Sequence, residues 1–300
     1  MRLALLASSV ALGGCGSTPP RQDAWEAYTT FMIASAKMRE ERAPQDAPFD
    51  HELLAQNFER IAFAHELNPL GLDKNADGDG SAENSLMRWE HPVTVGLITG
   101  GPDAAEAEAH LTWFIDKLAG LTGHPIRVRG ADKTGPKPNF LVMVITEDQV
   151  PQAAEALSDE AKGREAGIVQ VLSGFRRHLE RWRRSERSPC AGRAFFADRD
   201  VGAVQEGTIY AGFVVIQAGL PDRLRTSCIE EELAQTMGLF NDDSQVRPSI
   251  FNDDQEFAYL TRHDELLLRI LYDPRLQPGM SRDEAMPIVR RIARDLLAEG

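Results

Sequence analysis

Positive charge is in short supply in this chain. Its 300 residues carry 33 Lys and Arg against 46 Asp and Glu, a formal net charge of −13. Acidity on this scale works against non-specific nucleic-acid binding, because a polyanion is repelled. Cysteine is scarce as well, with three residues, none in a CxxC pair or beside a His. A catalytic or redox thiol is therefore not expected. There is no internal repeat and no long low-complexity tract. Beyond Leu12 no apolar stretch is long enough to span a bilayer. What is present, 42% hydrophobic and 26% charged residues, suffices for one large domain or a domain with a helical extension.

The first residues have the layout of an export signal. Met1-Arg2 is a short charged start, Leu3 to Leu12 is an apolar run too short to cross a membrane, and Gly13-Gly14-Cys15 places small residues before a cysteine. Leu12-Gly13-Gly14-Cys15 resembles a bacterial lipobox. The resemblance implies removal of residues 1–14 and acylation of Cys15. Gly16 stands where Asp would mark inner-membrane retention, so the periplasmic face of the outer membrane is implied. Residues 15–22, with Ser17 to Pro20, then form a tether. An ordinary secretory signal with a chance cysteine is the alternative. In an oxidising compartment Cys190 and Cys228 either form a disulfide or remain two buried thiols.

A helix is expected from about Asp222 to Met237, with Gly238 as the residue that ends it. On and after it, Glu231, Glu232, Gln235, Gly238 and Asn241 have the spacing of the zinc-protease signature HExxHxxGxxH, with all three His replaced. In that signature two His share a helix face, the Gly turns the chain so that a third reaches the metal, and the Glu is the general base. Further on, Pro248 to Phe251 stands where metzincins carry their Met-turn, with Phe251 in place of the Met. Leu260 to Asp264, followed by Leu267, Leu268, Leu271 and Tyr272, resembles their closing helix. The run from Cys228 to Met280 also resembles an uncharacterised bacterial lipoprotein family with an EExxQxxGLxND motif, and the chain is identified as a member of it. The resemblance implies an α/β (α+β) fold, a zincin- or metzincin-like mixed sheet with an active-site-type helix and an N-terminal helical extension. It brings no assigned activity.

Carried over position by position, the resemblance makes Glu231, Gln235, Asn241 and the adjacent Asp242 a degenerate metal set, with Glu232 as the candidate general base. Oxygen donors of this kind make a poor zinc site and suit Ca²⁺, Mg²⁺ or Mn²⁺ better. Those ions polarise a bound water less than zinc does. None of the seven His lies in the motif. His263 is closest in sequence, and His124 or His178 would have to arrive from elsewhere. The alternative to a metal is a hydrogen-bonded cluster holding the helix to the Phe251 turn. Three functions stand side by side: a non-catalytic pseudoprotease of the cell envelope that binds a peptide or protein, a metal-dependent hydrolase, and a calcium-stabilised structural lipoprotein.

Residues 23–85 read as a helical extension. Trp25, Tyr28 and Met32 share one face of a first helix, and Leu54, Phe58, Ile61 and His65 share one face of a second that begins near Asp50. Asp73, Asn75, Asp77 and Asp79, with Gly78, have the spacing of a calcium loop, but Asn84 replaces its closing acid and Gly80 its apolar residue. A polar surface loop is the other reading. The main domain, residues 86–280, opens with a strand at Val93, Val95 and Leu97, a helix with Leu111, Ile115 and Leu118 inward, a strand at 126–129 and an apolar, central strand at 140–145. One long helix is expected from Ala153 to about Trp182. It ends in Arg176, Arg177, Arg181, Arg183, Arg184 and Arg187, a patch interrupted by Glu180 and Glu186 and read as a solvated face, with anionic lipid headgroups as a secondary contact. The strand 208–217, or its neighbour, is expected to offer an edge to an extended peptide, as in metzincins. Residues 281–300 form a last helix opened by the capping box Ser281 to Glu284.

Overall fold

The computed structural model describes residues 21–63, 85–130, 136–185, 188–200 and 204–298. Cys15, His65 and the loop with Asp73, Asn75, Asp77 and Asp79 lie outside the described residues.

The fold is mixed α/β, with eight α-helices among the described residues. α1 (Arg21–Ala34) and α2 (His51–Ala62) come first. Asp50 caps α2 by accepting the Leu53 N–H at 2.9 Å, which satisfies one of the free donors of the first turn. Four strands, β2 (Val93–Thr99), β3 (Ile126–Val128), β4 (Phe140–Ile145) and β6 (Thr208–Gln217), run parallel in the order β3-β2-β4-β6. The short β1 (Arg88–Trp89) pairs with the start of β6. β5 (Cys190–Phe196) lies antiparallel along the other side of β6 and ends the sheet there.

β4 reads as almost wholly apolar because both of its faces are covered. Val142 and Val144 pack into the larger core with α3 (Ala104–Thr122) and α6 (Asp222–Thr236). Met143 and Ile145 point the other way, as alternate residues of a strand must. That second core is closed by α4 (Val150–Ala161) and α5 (Ala166–Arg184) through Leu157, Phe175, Leu179 and Trp182.

These two helices replace the single one expected from Ala153 to Trp182. Gly163 adopts φ +72°, a left-handed conformation that glycine takes without steric penalty, and the chain reverses there. The strand 208–217 is interior, so its neighbour β5 takes the edge. α7 (Arg262–Leu271) and α8 (Arg282–Ala298) complete the helical layer. Ser281 and Glu284 form the expected box at the start of α8.

Candidate functional site

α6 is largely buried, and Thr226, Ser227, Glu230, Glu232, Gln235 and Thr236 are buried with it. Gly238 ends it at φ +123°, and a Cβ there would stand 2.3 Å from the Met87 carbonyl oxygen, so only glycine fits the turn. At the other end a disulfide joins Cys228 of α6 to Cys190 of β5 across a Cα separation of 5.8 Å. The helix and the edge strand are thereby locked side by side.

Glu231, Glu232, Gln235 and Asp242 gather in the cleft between them, around a space also lined by Trp25 and Tyr28 of α1. Gln235 donates its side-chain amide to Asp242 Oδ1 at 2.9 Å. Glu232 is 8% exposed and lies against Gly192 of β5, where a Cβ would come within 2.6 Å of its Oε2. Burial, and after it the Asp242 charge, pushes its carboxyl up to about 8. Glu231 is raised in the same direction by burial, Asp242 and Glu232. Like charges crowded away from water cannot all ionise at their ordinary pH.

The remaining motif residues go elsewhere. Asn241 donates its amide to the Arg60 carbonyl at 3.0 Å, and its own N–H meets the Ile61 carbonyl, so it ties the chain to the end of α2. Phe251 is fully buried in a turn organised by Asp264. Asp264 accepts from Ser249 Oγ, the Ile250 N–H, the Thr261 N–H and Thr261 Oγ1 while capping α7. His263 is buried against Asn57 and Phe49, and His124 contacts the His91 carbonyl.

Set against the chemistry of a resident metal, this donor set does not fit. Asn241 is drawn away to the Arg60 carbonyl at the end of α2, and among the described residues no group of three or more His, Cys, Asp and Glu is placed to hold an ion. No step is assigned to a metal here.

Two residues that sequence reasoning undervalued prove central. Glu230, next to the motif acids, is fully buried and accepts two hydrogen bonds from Arg42, at 2.6 and 2.7 Å, and the Leu260 N–H at 2.8 Å. It anchors the segment after α1 to the core of the site. His178 of α5 reaches the same cleft as Glu232 and helps line a cavity of about 400 Å³ with Arg181, Trp182, Gln235 and Asp242. Its position on the buried face of α5 was its only sequence signal.

Residues 51–291 match the family described as a protein of unknown function, DUF2927. The chain belongs to the DUF2927 family. The match runs from the start of α2 into α8, and so includes the whole sheet and α6 but not Trp25 and Tyr28 of α1. No curated protein and no solved structure matches this DUF2927 chain.

Proposed function

We propose that this DUF2927 protein is a lipid-anchored, non-catalytic binding protein of the cell envelope, whose metzincin-like cleft takes an extended polypeptide along β5. The observation that carries this reading is the close approach of Glu232 to Gly192 on the edge strand. The acid in the general-base position is packed onto the edge strand.

The layout supports a relationship to metzincins. An antiparallel edge strand runs beside the motif helix, the glycine turn follows the helix, and the buried Phe251 turn comes next, in the order of those enzymes. The edge supports strand addition. In an antiparallel pair, alternate residues direct both backbone groups away from the partner. Gly192 does so on β5, and Cys190 and Ala194 share its parity. A carbonyl of an added strand can take the outward Gly192 N–H, with side-chain pockets supplying specificity. The disulfide suits an oxidising compartment, and Leu12 to Cys15 suits a lipid anchor.

Selection of peptides from a display library on the purified chain tests the reading, followed by amide exchange of the complex. Binders are expected to slow exchange at Gly192 and Ala194 and to be recovered uncut. Cleavage of bound peptides by the parent, lost in Glu232→Gln, would overturn it in favour of a hydrolase.

A further inference from the structure

The cavity over the edge of β5 has two walls of different chemistry, and the pleat of the strand separates them. Successive side chains point to opposite faces. Cys190 and Gly192 face α6, where Cys190 is bonded to Cys228 and Gly192 meets Glu232. Ala191 and Arg193 belong to the opposite face, where Phe195 packs on Phe175 of α5. Cavity-lining side chains come from both sides, with Glu232, Gln235 and Asp242 on one and His178, Arg181 and Trp182 on the other. A strand added along this edge would send alternate side chains into the two walls.

The α6 wall is built of carboxylates. Gly192 leaves open the space beside Glu232 Oε2, since a Cβ there would come within 2.6 Å of it. Asp242 adjoins Glu232 in the same cavity, and Glu231 lies beyond it. A cationic side chain arriving here would relieve the mutual repulsion of these acids.

The opposite wall supplies an independent observation. His178 is 3% exposed, yet its Nδ1 has no hydrogen-bond partner among the described residues. Its Nε2 faces the Ala191 carbonyl at 3.5 Å and so carries the hydrogen. Burial lowers its pKa to about 4 and keeps the ring neutral, which leaves a lone pair on Nδ1. A buried acceptor without a donor is costly, and a donor brought by a ligand removes that cost. The two walls therefore favour different side chains.

We infer that the cleft recognises an extended peptide in which a Lys or Arg enters the Glu232 and Asp242 wall while a neighbouring hydroxyl residue donates to His178 Nδ1. This rests on the peptide-binding reading and adds the class of side chain. On docking, a peptide carbonyl takes the Gly192 N–H, and Glu232 turns to the incoming cation.

The test uses labelled, acetylated and amidated pentapeptides Val-Thr-Xaa-Thr-Val with Lys, Ala or Glu at the centre, titrated against the full chain by fluorescence anisotropy at neutral pH and low salt. Blocked ends keep a terminal amine from imitating the side chain. The Lys peptide should bind about tenfold or more tightly than the Ala peptide, with the Glu peptide weakest. Asp242→Lys should reverse the order of Lys and Glu. Replacing both Thr by Val should weaken binding to the parent and leave binding to His178→Phe unchanged. Equal affinity for all three centres overturns the inference while strand binding stands. If none of the three binds, yet library peptides still protect the β5 amides, the inference again falls alone. If no library peptide binds either, the reading beneath it falls too.

Discussion

The Glu232 carboxyl lies against Gly192, so that a Cβ at position 192 would stand 2.6 Å from its Oε2. An acid on a buried helix and a glycine on an edge strand thus pack against one another, and the strand edge is covered by a side chain of its own domain. Exposed strand edges invite unwanted pairing, and covering them is a common defence. Here the cover is a single carboxylate that a ligand can displace.

Gly192→Ala should therefore drive Glu232 off the strand and lower stability by about 1–3 kcal/mol, the usual range for an overpacked site. Glu232→Ala removes the clash, so the double variant should lose less than the sum of the two single losses. Urea denaturation of the four proteins measures the coupling directly.

The acid cluster sets a pH dependence whose sign follows from its direction. Glu232 is raised from an ordinary 4.5 to about 8, so the folded chain keeps a proton that the unfolded chain has released. Its contribution is complete below about pH 4.5 and is lost as pH rises through about 8. Glu231 is shifted the same way and steepens the slope. Thermal stability should fall between about pH 5 and about pH 9. Glu232→Gln should flatten that fall and leave a protein more stable than the parent in alkaline buffer, by at most about 5 kcal/mol. A parent curve that rises over this interval would count against the arrangement.

Burial alone would raise the Glu230 carboxyl, but its hydrogen bonds to Arg42, with His110 nearby, outweigh it and hold it low. Arg42→Met strands this charge in the core and should lower stability by about 3–5 kcal/mol. Adding Glu230→Leu should recover much of that loss. Melting temperatures of the single and double variants decide the matter.

Asp264→Ala should be among the most damaging single changes in the domain. Three donors, Ser249 Oγ and the Ile250 and Thr261 N–H groups, would lose their acceptor inside the protein, while Thr261 Oγ1 keeps the Pro248 carbonyl. A loss of at least about 3 kcal/mol is expected in chemical denaturation, together with faster amide exchange around Phe251.

The Cys190 to Cys228 bond closes a separation of 38 residues. Removing both cysteines should lower stability by about 4 kcal/mol on the loop-entropy account. It should also free β5 from α6, read as faster amide exchange across residues 190–194.

Much of the secondary structure was legible in the chain. The period-2 runs at 93–99 and 208–217, the helix start near Asp50 and the Ser281 box all depend on neighbours close in sequence, so local patterns report them. The break at Gly163 was missed because the apolar face continues across it, and a glycine's φ is not written in the pattern. Gly238 was readable as a helix end. That Met87 makes it obligatory was not, because Met87 comes from a segment far away in the chain.

The candidate site divides along the same line. The sequence by itself determined the motif spacing on α6, and with it that Glu231, Glu232 and Gln235 share one short helical stretch. Only the tertiary structure decided that Asn241 turns to Arg60, that Glu230 meets Arg42, and that Glu232 lies on Gly192 with His178 across the cleft. Spacing along a helix is set by the 3.6-residue turn and needs no knowledge of the fold. Which polar groups meet across elements depends on how those elements pack, and that packing is settled by a core drawn from the whole chain.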